Sequence, residues 1–324
     1  MKALDPPPVE HLYTYVDMPR SGNEINGLGS NEKFRPAKIV PDDFTIEDYD
    51  YKELWDFFFY TLPWATFREF VLGMFESRKA RGPVAEKQIK VGNLEEMAVQ
   101  VKEKAIELGC DIVGITTVDD DRLLYENEES YPYKYAICLG TAQDREIMER
   151  VPQPEAGLEV VSTYRRSSRY SNELAAWIRS MGWPAEAFAV GRDILMIPSA
   201  IEAGLGELGK HGSMISREHG SNFRLSMVLT DLPLAIDKPV DIGVQDVCAT
   251  CQACTRQCPP GAISDKPQLV RGVEKWYVDY DKCAWYFAKT SGCSICVEVC
   301  PWSTPGQGFK LSEIVLNKRV KKQV

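Results

Sequence analysis

Nowhere in its 324 residues does the chain hold eighteen consecutive apolar residues, so no segment reads as a membrane-spanning helix. No secretory apolar core follows Met1, and no twin-arginine pair lies near the start, Arg165-Arg166 being far too deep. The expectation is a cytoplasmic protein, or the mature form of an exported one whose twin-arginine leader has been removed. Positive charge is also in deficit. Against 47 acidic residues stand 38 basic ones, for a net charge of −9. That speaks against a nucleic-acid partner, which calls for a basic face.

Cysteine is plentiful, with ten in the chain, but it is not distributed as a disulfide scaffold would require. Eight lie between 248 and 300, and such crowding points to metal instead. Cys110 and Cys138 sit in apolar stretches and read as core cysteines. An apolar content of 44% is enough to build a real core.

Residues 1–90 read as an extended arm rich in Pro, Gly, Asn and Asp, followed by an aromatic helical segment from Leu54 to Phe75. That segment is expected to pack on the core, a membrane-surface or subunit contact being the sharper alternative. Asn93 precedes Glu95-Glu96 and an amphipathic run to Leu108, with Gly109 as its stop. Apolar strands are expected at Ile112–Ile115, Tyr135–Leu139 and Leu225–Leu229, and a further helix at 172–182. Helices alternating with strands indicate an α+β or α/β layered core over 91–238, and 239–324 is the cysteine-rich module.

Within the module, Cys248-x2-Cys251-x2-Cys254-x3-Cys258-Pro259 is the bacterial two-cluster ferredoxin run. A second half follows as Cys293-x2-Cys296-x3-Cys300-Pro301, its remaining cysteine displaced to Cys283. Crossed ligation then predicts one [4Fe–4S] cluster on Cys248, Cys251, Cys254 and Cys300. The other falls to Cys258, Cys283, Cys293 and Cys296. Zinc ribbons pair two CxxC knuckles across a longer gap and do not match this run.

Upstream of the module several segments occur in a fixed order. They are Ser162-Thr163-Tyr164-Arg165-Arg166, Glu173 to Arg179, Gly182-Trp183, Ile197 to Glu207, His219 to Leu225 and Thr230 to Leu234. Together with Tyr13-Thr14-Tyr15 and Gly27-Leu28-Gly29 near the start, they resemble the corrinoid-dependent reductive dehalogenases.

That resemblance implies a nitroreductase-like core binding base-off cobalamin, with the ferredoxin module set against it. It also implies a small organohalide substrate and an electron donor that is ferredoxin- or flavodoxin-like, or membrane-linked. A homodimer is compatible with it. The chain has no Asp-x-His-x-x-Gly segment, so His211 and His219 are expected to be hydrogen-bonding loop residues instead of cobalt ligands.

Position by position, Tyr164 matches the family's catalytic tyrosine, with Tyr170 as its rival, and Arg224 matches a basic partner. A phenol is a reluctant acid, and a guanidinium beside it stabilises its phenolate. Arg192 stands where some members have asparagine, which favours an anionic or phenolic substrate. Gly204, Gly206 and Gly209 are expected either to let backbone approach the corrinoid or to serve as turn glycines. Two other readings stay open. One is an epoxyqueuosine-reductase-like enzyme, which is expected to carry an aspartate where Tyr164 to Tyr170 contains no acid. The other is a non-catalytic electron carrier.

Overall fold

The computed structural model describes residues 22–31, 63–77, 80–119, 131–189, 194–290 and 292–323. Elements run in chain order as α1 (Gly22–Ile25), α2 (Pro63–Ser77), α3 (Leu94–Leu108), β1 (Ile112–Thr117), β2 (Tyr135–Ala142), α4 (Arg145–Met148) and α5 (Pro154–Ser180). Then come β3 (Ala185–Phe188), α6 (Met196–Glu202), β4 (Glu207–Leu208), β5 (Met214–Ile215) and β6 (Phe223–Thr230). The module supplies α7 (Val244–Thr250), α8 (Ala253–Gln257), β7 (Gln268–Val270), β8 (Val273–Lys275), α9 (Tyr280–Lys289), α10 (Ile295–Glu298) and α11 (Gln307–Gln323).

Four strands form the central sheet in the order β1-β2-β6-β3, and every pairing is antiparallel. The core is therefore α+β, and the α/β alternative is set aside. Both faces of the sheet are covered. Ile137, Leu139 and Val228 pack with Val101, Ala105, Leu174 and Ile178 of α3 and α5. On the other side Ala136, Cys138, Met227 and Leu229 meet Ala200 and Ala203 at α6. Successive strand residues alternate between these layers, as the two-residue period demands. Because neither face meets water, these antiparallel strands read as continuous apolar runs, a pattern more usual in parallel sheets. Cys110 and Cys138 are buried as expected.

Asn93 caps α3 by accepting from the Glu95 and Glu96 N–H groups, and Gly109 ends it at φ +114°. The helix expected at 172–182 is a correction of extent, because α5 begins at Pro154 and runs 27 residues. Its first half escapes the apolar-periodicity test, since its inward residues are Thr163, Ser167 and Ser171. These hydroxyls bond α5's own carbonyls or Thr141 of β2, and their small size lets the helix lie close to the sheet.

The aromatic segment also needs correction. Its described part, α2, packs on α5 through polar groups, with Thr66 and Glu69 buried and Glu69 Oε2 accepting from Arg165 Nε at 2.5 Å. Trp64 is 85% exposed, and Phe67 and Phe75 are exposed too. Tyr13-Thr14-Tyr15 and residues 54–62 lie outside the described residues. The described part of the arm is latched to the module. Asn23 Oδ1 accepts from Tyr277 OH at 3.0 Å and Tyr280 N at 2.8 Å, and Leu28 bridges Val270.

Candidate functional site

Tyr164 is set one turn before Ser167 on α5, and Ser167 Oγ lies 3.1 Å from Thr141 Oγ1 of β2. Thr141 stands opposite Arg224 in the β2–β6 register. Residues directly opposite in an antiparallel pair project from the same face, so Arg224 is carried toward α5. Its guanidinium carbon lies 5.5 Å from the centroid of the Tyr164 ring, within cation–π range. The neighbouring arginines are engaged elsewhere, Arg165 with Glu69 and Arg166 with Glu159. Both Tyr164 and Arg224 are half-buried.

Tyr170 has a different role. It sits in the core layer under α3, and a Cβ at Gly109 would lie 2.6 Å from its ring. Arg192 lies outside the described residues.

Three buried polar atoms around Arg224 have no hydrogen-bond partner: Gln143 Oε1, Asn222 Oδ1 and Arg224 Nε. Gln143 follows β2 and Asn222 precedes β6. The two are tied by Gln143 N donating to Asn222 O at 3.0 Å and Asn222 Nδ2 donating to Gln143 O at 3.3 Å. Buried polar atoms left unpaired are costly. This set offers two acceptors and a donor, which suits a ligand with several amide groups, such as the rim of a corrinoid. Gln143 was not anticipated, since a lone glutamine after a strand carries no sequence signal.

The three loop glycines have local reasons for their identity. A Cβ at Gly204 would come within 2.6 Å of Lys238 O, and one at Gly206 within 2.0 Å of Ile215 O. At Gly209 it would meet Ile215 Cδ1 at 2.7 Å. Close backbone approach within the chain calls for glycine at 204 and 206, whereas at Gly209 the neighbour is the end of a side chain.

Cys248, Cys251, Cys254 and Cys300 line a single cavity together with Lys210, His211 and Trp302. The cavity is small and partly open to solvent. These are the four cysteines that crossed ligation assigns together. Burial pushes the Cys248 thiol up to about 11 and the Cys300 thiol up to about 12. Backbone N–H groups of Lys210 and Trp302 donate to those two sulfurs and oppose the shift.

Cys283 falls beside Cys258 and Cys293, and Cys296 beside all three. Burial raises the Cys283 thiol to about 12 and the Cys293 thiol to about 11. Cys258 Sγ accepts from Ala262 N at 3.3 Å. Gly292, Cys293 and Ser294 all have positive φ, a costly conformation for the two non-glycine residues that is typical of binding turns.

Buried thiols suit cationic iron, which replaces their protons. Among the described residues no three His, Cys, Asp or Glu side chains converge on a single metal ion. A cubane attaches each thiolate to a different iron, so its four ligands need not meet at one point. His211 is buried, with Nδ1 accepting from Ser213 N at 3.2 Å and Nε2 lying 3.2 Å from Ser221 Oγ. Arg145 of α4 makes a two-pronged ion pair with the buried Glu298 of α10, joining core to module.

The family described as 4Fe-4S dicluster domain matches residues 247–304. The chain is 35% identical over 195 residues to the tetrachloroethene reductive dehalogenase of Sulfurospirillum multivorans, covering 57% of this chain and 38% of that one. It is 28% identical over 268 residues to the epoxyqueuosine reductase of Salmonella typhimurium, covering 66% of each. A solved reductive dehalogenase, described with a mechanism for B12-dependent dehalogenation, superposes with a TM-score of 0.68. Its sequence identity is 26%, over 75% of this chain and 38% of that one. The likeness to reductive dehalogenases is thus shown in both sequence and fold. The chain spans less than two-fifths of the length of the dehalogenases it matches.

Proposed function

We propose that this chain catalyses reductive dehalogenation, replacing a carbon–halogen bond of an organohalide by carbon–hydrogen. The balance is one substrate, two electrons and one proton giving the reduced product and a halide ion. The observation that carries this reading is the approach of Arg224 to Tyr164 within 5.5 Å, next to a rim of unpaired buried polar atoms. When bound, a base-off corrinoid supplies low-valent cobalt able to break the carbon–halogen bond.

The chain's own residues perform the rest. Tyr164 holds the proton at its hydroxyl oxygen and delivers it to the carbon that loses halide. Arg224, over the ring, offsets the negative charge left on the phenolate. Gln143, Asn222 and Arg224 would hold the amide-bearing edge of the corrinoid. Cys248, Cys251, Cys254 and Cys300 would hold one [4Fe–4S] cluster. Cys258, Cys283, Cys293 and Cys296 would hold the other, and the pair would pass electrons from a low-potential donor. Arg192, standing where asparagine occurs in some similar proteins, would favour an anionic or phenolic organohalide. The division into a core at 91–238 and a module at 239–324 belongs to the same proposal.

The test is anaerobic reconstitution of the chain with iron, sulfide and cobalamin, followed by assay of halide release from aryl and alkyl halides. Halide release by the wild type and its loss in Tyr164→Phe are expected. A reconstituted protein that retains no corrinoid would sink the proposal. Turnover of an epoxyqueuosine-containing tRNA, with no halide released, would reassign the chain to the other similar family.

A further inference from the structure

Lys210 is 1% exposed, one of the most deeply buried large side chains in the protein. Its ammonium donates to the Cys251 carbonyl at 2.8 Å and stands 4.4 Å from the centroid of the Trp276 ring. Among the described residues no carboxylate pairs with it. A buried, unpaired ammonium is strongly unfavourable, and neither a carbonyl nor an indole face supplies a full negative charge. The same residue donates its backbone N–H to Cys248 Sγ. It is also the one charged side chain lining the cavity of Cys248, Cys251, Cys254 and Cys300. His211, the other basic residue there, accepts at Nδ1 from Ser213 N and so is neutral in this arrangement.

Beside the second set of cysteines the charges come as a compensated pair: Asp279, which caps the α9 that carries Cys283, accepts from Lys282 Nζ at 3.0 Å. A thiolate-ligated cubane is anionic and gains a further negative charge on reduction. Nearby charge and hydrogen bonds to sulfur set the potential at which this happens.

We propose that Lys210 is the fixed counter-charge of the cluster held by Cys248, Cys251, Cys254 and Cys300. It makes that cluster the higher-potential member of the pair, so an electron entering the module from a low-potential donor settles there. This rests on the proposed iron–sulfur ligation. It assigns to Lys210 a positioning of charge, not contact with substrate.

The test uses the full chain, reconstituted anaerobically with iron and sulfide, without corrinoid or organohalide. Iron content and the potentials of both clusters are read by dithionite titration followed by electron paramagnetic resonance. Variants are Lys210→Gln, close in length and uncharged, and Lys210→Arg, which keeps the charge. In Lys210→Gln one midpoint is expected to fall by at least a tenfold change in the reduction equilibrium, about 59 mV for a one-electron couple. The other midpoint stays at its wild-type value, and Lys210→Arg keeps both near wild type.

Loss of one cluster in Lys210→Gln with retention in Lys210→Arg also supports the counter-charge. Unchanged midpoints in Lys210→Gln overturn it, as does loss of a cluster in both variants, which would mark a packing role. A wild type that binds no clusters fails at the ligation itself, and iron analysis registers that separately.

Discussion

Arg224 lies over the ring of Tyr164, its guanidinium carbon 5.5 Å from the ring centroid, although α5 and β6 bring them from distant parts of the sequence. The sheet register and a helix face lined by small hydroxyls create this meeting. A cation over an aromatic face is worth roughly 0.5–2 kcal/mol. It gains more when the ring becomes a phenolate, so the pair stabilises the state formed after proton transfer.

Tyr164→Phe is accordingly expected to lower halide release by about 10²–10⁴-fold, the usual contribution of a positioned acid. Iron and corrinoid content should match the wild type. Tyr170→Phe should keep most activity, because Tyr170 packs in the core. If the two variants are equally active, Tyr164 is not the acid.

Arg224→Met is expected to lower kcat by about 10²-fold, the scale for losing one preorganised charge partner. Arg224→Lys should retain part of the rate, having charge but not the planar fork. A Met variant with unchanged kcat and a raised KM would place Arg224 in substrate binding alone.

Cysteine variants test the crossed ligation by iron count. Cys254→Ser and Cys300→Ser should each reduce bound iron from about eight to about four atoms per chain. The double variant should be no worse than either single one, since both remove the same cluster. Cys283→Ser should remove the other cluster, so that Cys254→Ser combined with Cys283→Ser leaves almost none. If Cys283→Ser keeps all its iron, its assignment is wrong.

Two glycines make opposite predictions for stability. Gly109 has φ +114°, and a Cβ there would lie 2.6 Å from the Tyr170 ring. Gly109→Ala should therefore cost more than about 1 kcal/mol in denaturant unfolding. Gly73 lies inside α2 with nothing within 4 Å of its missing Cβ. Gly73→Ala should stabilise by up to about 1 kcal/mol. Equal effects at the two sites would contradict the described backbone.

Much of this was legible in the linear chain. The Asn93 cap, the Gly109 stop and the strands at Ile112, Tyr135 and Leu225 all follow from local chemistry. The grouping of Cys248, Cys251 and Cys254 follows from spacing alone. Other features depend on partners that no local pattern encodes. The first half of α5 presents Thr163, Ser167 and Ser171 inward, so an apolar-stripe test passes over it. Strand direction was hidden because both faces of the sheet are covered. Glu69, buried in an aromatic stretch, faces inward because Arg165 awaits it, while Trp64 is left outside. Lys210 reads as an ordinary loop lysine until the fold encloses it.

The clasp between Asn23 and residues 277–280 has a consequence for how the protein is made. Its two halves are separated by more than 250 positions, so this early segment must wait through most of translation before its partner leaves the ribosome. The partner stretch runs directly into Cys283. Until that stretch emerges Asn23 has no Tyr277 or Tyr280 to hold, so the arm's docking is a late event, made at the doorstep of the second set of cysteines.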